Sequence, residues 1–99
     1  MVHGGCIYVM TNERHTVLYT GVTADLYARV SEHVECIYPH SSTAKYNIKK
    51  LIYYETFHHI EQAIAREKQF KKLSREKKVS LITKFNPQWK DQVEEVKYW

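Results

Sequence analysis

The sequence has little cysteine and no long apolar run. Its 99 residues include two cysteines, Cys6 and Cys36, which are too few for a disulfide framework. We therefore expect a reduced protein in the cytoplasm. Residues 1–5 do not combine a basic segment with an apolar one, so no signal peptide is expected. No apolar stretch approaches the roughly 18 residues of a membrane-spanning helix, so no membrane association is expected.

Internal repeats and low-complexity segments are also lacking. A chain of 99 residues corresponds to one domain. We expect a core over about residues 6–91 and a C-terminal tail over 92–99, with no room for a separate target-recognition domain. The formal net charge of +4 favours a polyanionic partner only weakly, because many small domains are equally basic.

Two short apolar runs at the start predict a β-hairpin. They cover residues 6–10 and 16–21 and flank a polar connection. Antiparallel pairing would bring Tyr8 and Tyr19 close together on one face. By itself such a pair is more typical of tyrosines at the edge of a core, since strands are rich in tyrosine. A third strand, at about 50–57, is almost continuously apolar, which suits a central strand covered on both faces.

The first helix is predicted over about residues 24–35, with Thr23 as its N-cap. Arg29 and His33 are four residues apart and share one face of it. Without other information, that pair is typical of a solvated polar face. The connection that follows, residues 36–47, is longer than most loops in compact domains, which makes it a functional candidate.

Two more helices are predicted, over about residues 59–73 and 75–85. The second has Ser74 as its N-cap and ends before Pro87. Glu67 continues the apolar stripe of the first at helical spacing. A carboxylate there is costly without a partner or a metal. The alternative is a position at the edge of the stripe, paired with a neighbouring lysine, and the spacing leaves both open.

Six ordered motifs together resemble the GIY-YIG nuclease family. They are Cys6-Ile7-Tyr8, Tyr19-Thr20-Gly21, the helix from Gly21 to His33, the pair Lys45-Tyr46, the segment 63–71 around Glu67, and the closing Asn86-Pro87-x-Trp89-x-Asp91 of small single-domain bacterial members. Each motif is a weak signal, but the ordered set with correct spacing is strong. Two positions depart from the family pattern, because Cys6 replaces a glycine and Thr20 an isoleucine.

The resemblance implies an α+β fold, with a small three-stranded antiparallel sheet flanked by helices in the order β-β-α-β-α-α. It also implies hydrolysis of DNA phosphodiester bonds with one divalent ion, Mg²⁺ or Mn²⁺, and no organic cofactor. We expect an endonuclease directed by DNA structure or damage, with a role in repair or recombination. No base-reading element is apparent, so sequence specificity is not expected.

The same resemblance gives each site residue a role. Tyr8 would be the general base, and Tyr19 its hydrogen-bonded partner near the scissile phosphate. Arg29 would bind that phosphate. His33 would position a tyrosine or help to accept its proton. Glu67 would hold the metal.

Further residues would support this site. Lys45 would add positive charge, and Asn86 would hold either the glutamate or the phosphate in place. The cations Lys68, Lys71 and Lys72 belong to a lysine-rich run that is either a solvated helical surface or a contact to the DNA backbone.

A tyrosine base needs help from its surroundings. A free phenol has a pKa of about 10, so Arg29, Lys45 and the metal are expected to favour the phenolate of Tyr8. Both tyrosine hydroxyls should then point to one surface, on which His33 and Glu67 also converge.

Other interpretations stay open. The scaffold would also suit a nucleic-acid-binding module without efficient catalysis, or a protein-interaction domain. Zinc bound by Cys36, His40, His58 and His59 is disfavoured, because these residues form no tight paired motif. A nucleophile-base pair of Cys36 and His33 is equally weakly supported.

Overall fold

The computed structural model describes residues 4–35 and 42–97 and shows a three-stranded antiparallel sheet with helices on both faces. The elements are β1 (Gly5–Thr11), β2 (Leu18–Thr23), α1 (Leu26–Val34), α2 (Ser42–Lys45), β3 (Lys50–Phe57), α3 (Ile60–Lys71), α4 (Arg75–Phe85) and α5 (Val93–Val96). The predicted α+β class and the order of the main elements are confirmed, and α2 and α5 are short additions. In the described part of the chain, no helix has the length and apolarity to cross a membrane.

The strand order is β2-β1-β3, so β1 is central and every one of its residues is buried. The prediction that the third strand is central is wrong. Both faces of β3 are nevertheless covered, because Leu51 belongs to the apolar cluster on one side of the sheet and Ile52 to the cluster on the other. The apolar run of β3 therefore reflects burial of both of its faces, and not a central place in the sheet.

The outer edge of β3 is closed by the segment that follows α4. The backbone N–H of Gln92 donates to the carbonyl of Leu51 at 2.7 Å. The Leu51 N–H in turn donates to Oδ1 of Asp91 at 3.1 Å. The side-chain amide of Asn86 donates to the carbonyl of Ile52 at 3.2 Å. These bonds satisfy backbone groups that an outer strand otherwise leaves unpaired.

The expected C-terminal tail is partly helical. Val96 of α5 is fully buried in the same cluster as Val30 of α1. Residues 98 and 99 lie outside the described part of the chain. Trp89 packs against the cluster on the opposite side of the sheet, as predicted for a residue that returns to the core.

Side chains along β1 alternate between the two faces, as they must in a strand. Cys6, Tyr8 and Met10 belong to the cluster under α1. Ile7 and Val9 belong to the cluster that contains buried residues of α3 and α4. We call these the α1 face and the α3 face of the sheet. This alternation decides which of the predicted site residues meet.

The first helix begins later than predicted. Its N-cap is Asp25, whose carboxylate accepts a hydrogen bond from the N–H of Ala28 at 3.3 Å. Thr23 ends β2 and its hydroxyl accepts from the N–H of Asp25 at 3.0 Å, which fixes the turn into the helix. The predicted N-cap Ser74 of α4 is confirmed.

Candidate active site

Tyr8 lies at the centre of the candidate site, on the α1 face. It is 1% exposed, and its hydroxyl oxygen is 3.1 Å from Nε2 of His33. The ring centroids of Tyr8 and Tyr19 are 6.2 Å apart, and those of Tyr19 and His33 are 5.3 Å apart. The hairpin and α1 therefore bring the two tyrosines and the histidine into one cluster.

Arg29 completes this cluster from α1, one helical turn before His33. Its guanidinium lies close enough to Tyr8 to lower the pKa of the phenol, and Nη1 donates to Oε2 of Glu32 at 2.9 Å. An arginine can only donate hydrogen bonds, so the guanidinium can only offer protons to the Tyr8 oxygen. When the imidazole proton of His33 is on Nδ1, Nε2 accepts a hydrogen bond from the Tyr8 hydroxyl. Glu32 was missed at the sequence level, although its position three residues after Arg29 on a helix was a usable signal.

The electrostatics of Tyr8 differ from expectation. Burial raises the pKa of Tyr8 above its ordinary value, the nearby Tyr19 raises it further, and Arg29 opposes both effects. Arg29 thus acts in the predicted direction, but desolvation outweighs it. Lys45 is not among the groups that shift this pKa. Protein cations alone therefore leave Tyr8 as a neutral phenol at neutral pH.

His33 is tuned in the complementary direction. Burial lowers its pKa below the ordinary 6.5, and the charge of Arg29 lowers it further, against a smaller opposing effect of Glu32. A neutral imidazole has one acceptor nitrogen, which suits the hydrogen bond from Tyr8. The other buried titratable group nearby is the Cys6 thiol, whose pKa burial raises to about 12, so it stays protonated.

Acidification should destabilise the fold through His33. Its pKa is depressed in the folded protein, so below about pH 6.5 the unfolded chain binds a proton that the folded protein resists. This contribution to the free energy of unfolding is complete above that pH and is lost as the pH falls towards the folded pKa. Thermal melts between pH 8 and pH 5 should show the loss, and His33→Gln should flatten that part of the profile. An unchanged profile in the variant would contradict the assignment.

Gly21 makes room for Tyr8, its partner in the adjacent strand. A β-carbon at Gly21 would lie 2.5 Å from both Cζ and the hydroxyl oxygen of Tyr8. No real contact is that short, and the Tyr8 ring is buried and held by His33. The third residue of the second tripeptide is therefore a glycine for a steric reason.

Gly21→Ala should consequently displace the Tyr8 ring. Overpacking of this kind lowers the free energy of unfolding by about 1–3 kcal/mol. We therefore expect a lower melting temperature and a loss of any activity that depends on the position of Tyr8. Thermal melts of Gly21→Ala and of Thr16→Ala, an exposed residue of the same hairpin, would measure the difference. Equal melting temperatures would show that the ring has space to move.

Glu67 lies on a helix that packs on the sheet face opposite Tyr8. The buried residues Ala63 and Phe70 of that helix, α3, belong to the cluster on the α3 face. Helical periodicity did not reveal which face α3 covers, and the convergence of Glu67 with the two tyrosines on one surface stays a prediction. Helix α3 also contacts β2, an outer strand of the sheet. The metal-binding role of Glu67 stays a prediction, with the edge of β2 as the route between the two faces.

The Glu67 carboxylate fits a simple metal site but not a closed one. Its side chain is 16% exposed, and Oε1 lies 3.3 Å from Nζ of Lys71, so the lysine pairing weighed in the sequence is present. Among residues 4–35 and 42–97, no three histidine, cysteine or acidic side chains group as metal ligands. A single carboxylate with waters and a substrate oxygen is an ordinary arrangement for Mg²⁺. The described residues suit such an open site and do not suit one in which several protein ligands enclose the ion.

The remaining predicted residues lie outside the tyrosine cluster. Lys45 ends α2 with its ammonium 5.4 Å from the centroid of the Tyr46 ring. Lys68 and Lys72 are exposed at the end of α3. Asn86 is 4% exposed, and its amide bonds the carbonyls of Ile52 and Lys90. These contacts make Asn86 a support for β3, rather than for the glutamate or a phosphate.

A network that the sequence did not suggest fixes the position of α3. The Glu55 carboxylate of β3 accepts hydrogen bonds from the Tyr53 hydroxyl and, at 3.1 Å, from Nε of Arg66. Nη1 of Arg66 also donates to Oε1 of Gln69 at 2.5 Å. Arg66 precedes Glu67, so the network sets the rotation of α3 at the predicted metal ligand.

The alternative sites gain no support. Cys36 and His40 lie outside the described residues, so neither the zinc set nor the pair of Cys36 and His33 is seen. His58 and His59 are exposed at the junction of β3 and α3.

Comparison with known families identifies the family of this chain. The family model described as the GIY-YIG catalytic domain matches residues 4–80. This range includes both tyrosines, the Arg29 and His33 helix, and Glu67. No curated protein and no solved structure matches the chain significantly.

Proposed function

Because this chain belongs to the GIY-YIG family, a nuclease family, we propose that it is a divalent-metal-dependent DNA endonuclease. Tyr8 acts as general base, Tyr19 and Arg29 bind the scissile phosphate, His33 takes part in proton transfer, and Glu67 holds one Mg²⁺ or Mn²⁺. The observation that carries this proposal is the cluster in which the Tyr8 hydroxyl lies 3.1 Å from Nε2 of His33, with Arg29 near enough to lower the pKa of Tyr8. Residues of both sequence motifs and of the helix contribute to this cluster, which supports the proposal.

The geometry supports a proton relay rather than a preformed phenolate. Tyr8 is neutral, and its hydroxyl oxygen lies 3.1 Å from Nε2 of His33, which accepts the phenol's hydrogen bond when the imidazole proton is on Nδ1. As the attacking water gives its proton to the Tyr8 oxygen, the phenol proton passes to His33. Tyr8 therefore never has to hold a full negative charge in a buried position, which its raised pKa disfavours.

Phosphate binding prepares this relay through Arg29. The guanidinium now pairs with Glu32, and its charge lowers the pKa of His33. A DNA phosphate would match the guanidinium fork and offset its charge. The pKa of His33 then rises, so the imidazole becomes a better proton acceptor when substrate is present.

Glu67 is the residue of this chain that would hold the metal, which when bound supplies charge to stabilise the phosphoryl oxygens and the leaving group. At present the Lys71 ammonium pairs with the carboxylate. A divalent cation at Glu67 would displace that ammonium. Lys71 then becomes available, with Lys68 and Lys72, for contacts to the DNA backbone.

The substrate we propose is DNA of unusual structure, as in repair or recombination, cut in the cytoplasm without an organic cofactor. The exposed cations of α3 provide contacts that position a duplex without reading its sequence. This agrees with the absence of any base-reading element among the motifs of the sequence.

A cleavage screen tests the proposal. Branched, nicked, single-stranded and plain duplex DNA should be incubated with Mg²⁺ or Mn²⁺ and with EDTA, and the products separated on denaturing gels. We expect metal-dependent cuts in at least one of these substrates, removed by Tyr8→Phe and by Glu67→Ala. If every substrate stays intact, or if both variants cut as well as the parent, the proposal is wrong.

A second function, nucleic-acid binding without efficient catalysis, is favoured by the burial of Tyr8. At 1% exposure, Tyr8 offers substrate almost no accessible surface in this conformation. Salt-dependent DNA binding with no cleavage at any metal concentration would support this alternative.

A further inference from the structure

A groove unrelated to the tyrosine cluster lies between the hairpin loop, the start of α4 and the turn after it. It has a volume of about 450 Å³ and is lined by His15, Arg75, Val79, Pro87, Gln88 and Trp89. Trp89 packs against the α3 face of the sheet, whereas Tyr8 lies on the α1 face. None of these six residues has a role in the proposed reaction.

Two aromatic rings form one wall of this groove, which we call the Trp89 groove. The ring centroids of His15 and Trp89 are 5.2 Å apart. The indole Nε1 donates to Oγ1 of Thr83 at 3.1 Å, which fixes the plane of the ring. Both residues have positive φ, 58° for His15 and 53° for Trp89. A backbone conformation that bulky residues rarely adopt thus turns both rings towards each other.

The charge beside these rings is positive. Nη2 of Arg75 donates to the carbonyl oxygen of His15 at 3.2 Å, and the residue is exposed. Nζ of Lys50 lies 3.3 Å from Nε2 of His15, so the lysine donates to the imidazole. No carboxylate is among the described residues that line the groove. The aromatic rings of this groove, with positive charges beside them, suit a ligand that is flat and carries a negative charge.

We propose that the Trp89 groove binds an unpaired nucleotide of a DNA strand, with the base stacked on Trp89 and the phosphate at Arg75. The bases of a duplex are stacked inside it and do not reach such a ring, whereas the bases of a single strand do. This proposal rests on the proposed function and narrows its substrate to DNA with a single-stranded segment.

The hairpin places the groove within reach of the candidate active site. His15 and Tyr19 are four residues apart along the chain, which in extended conformation spans at most about 13 Å. Nucleotides in one strand of a duplex are about 3.4 Å apart. A strand cut near Tyr19 would thus reach the Trp89 groove within a few nucleotides.

Fluorescence of Trp89 tests the proposal without cleavage. Trp99→Phe leaves Trp89 as the sole tryptophan. In EDTA, an oligothymidylate of about 16 nucleotides should quench its emission, and a duplex of the same length should not. Fluorescence anisotropy of labelled DNA should show about tenfold weaker single-strand binding for Trp89→Leu, and near-parental binding for Trp89→Phe.

Charge variants distinguish DNA binding in the groove from general attraction of DNA to a basic protein. Arg75→Gln should weaken single-strand binding about three- to tenfold and reduce the slope of log K against log salt by about one. Lys84→Gln, an exposed cation at the other end of α4, should do neither. Because Arg75 is exposed, this variant is expected to fold even if Trp89→Leu does not.

The outcomes are distinguishable. Parental binding by Arg75→Gln and by any folded Trp89→Leu protein, equal quenching by duplex, or displacement of the DNA by an equimolar oligoglutamate peptide would each overturn the proposal, the last in favour of an acidic protein partner. Cleavage that persists beside any of these results would leave the nuclease function intact. Trp89-dependent binding with no cleavage of any DNA would support the groove while the nuclease function fails.

Discussion

Tyr8→Phe should lower the rate of DNA cleavage by about 10²–10⁴-fold, the usual contribution of a general base. The variant removes the oxygen that hydrogen-bonds His33, so no group is left to receive a proton from water and pass it to the imidazole. The effect should fall on the chemical step. Single-turnover cleavage at saturating enzyme would measure it. Fluorescence anisotropy should show DNA binding within about threefold of the parent, since a threefold change in Kd corresponds to only about one RT of binding free energy.

Tyr27→Phe is the matched control for this experiment. Tyr27 lies on α1 and packs against the same apolar cluster as Tyr8, but it has no place in the proposed relay. Loss of the Tyr8 hydroxyl leaves buried partners unsatisfied, which costs about 1–3 kcal/mol. Thermal melts must therefore show that Tyr8→Phe is folded at the assay temperature. A folded Tyr8→Phe protein that cuts as fast as Tyr27→Phe would remove Tyr8 from the mechanism.

Glu67→Gln should abolish the stimulation of cleavage by Mg²⁺, with a loss of at least about 100-fold, comparable to the removal of one electrostatic contact to a transition state. Glutamine keeps the shape of the side chain but not the charge that would hold a divalent cation. It also breaks the pair with Lys71. That lysine is then free for DNA, so binding without metal should stay level or become tighter while cleavage is lost.

Glu61→Gln provides the comparison on the same helix. Glu61 is an exposed carboxylate in the first turn of α3, whereas Glu67 is largely covered. Cleavage should be titrated with Mn²⁺ for both variants and the parent. Equal responses of Glu61→Gln and Glu67→Gln would show that general negative charge, and not a ligand at Glu67, explains any metal effect. A Glu67→Gln protein with parental rate and metal dependence would remove the residue from the site.

Local sequence patterns predicted which segments form strands and helices better than they predicted where those elements lie in the fold. The hairpin, β3 and α4 follow from alternation, apolar runs and the Ser74 cap, which depend on neighbours in sequence. The central position of β1 does not follow from such patterns. Helices and the 86–92 segment cover β3 as well, so its sequence is as apolar as that of a central strand. The first helix illustrates the same limit, since Thr23 and Asp25 are both good caps and the turn decides between them.

The candidate site was predictable to a similar degree. Pairing across the hairpin placed Tyr8 near Tyr19, and helical spacing placed Arg29 near His33. The sign of the Tyr8 pKa shift was not predictable, because it depends on how deeply the ring is buried. Nor was the face of Glu67, which depends on how α3 crosses the sheet. The Trp89 groove joins residues far apart in the sequence and had no local signal.

The outer edge of β3 is hydrogen-bonded to the 86–92 segment, so among residues 4–35 and 42–97 the outer edge of β2 is the one left for strand pairing. Hydrogen bonds from the 86–92 segment occupy β3, so an extended peptide or a second copy of the chain that joined this sheet would pair along β2. That strand carries Tyr19 and Gly21. Any partner that recognises the protein by strand addition would therefore lie beside the tyrosines of the proposed active site, and association and access of DNA would compete for the same side of the molecule.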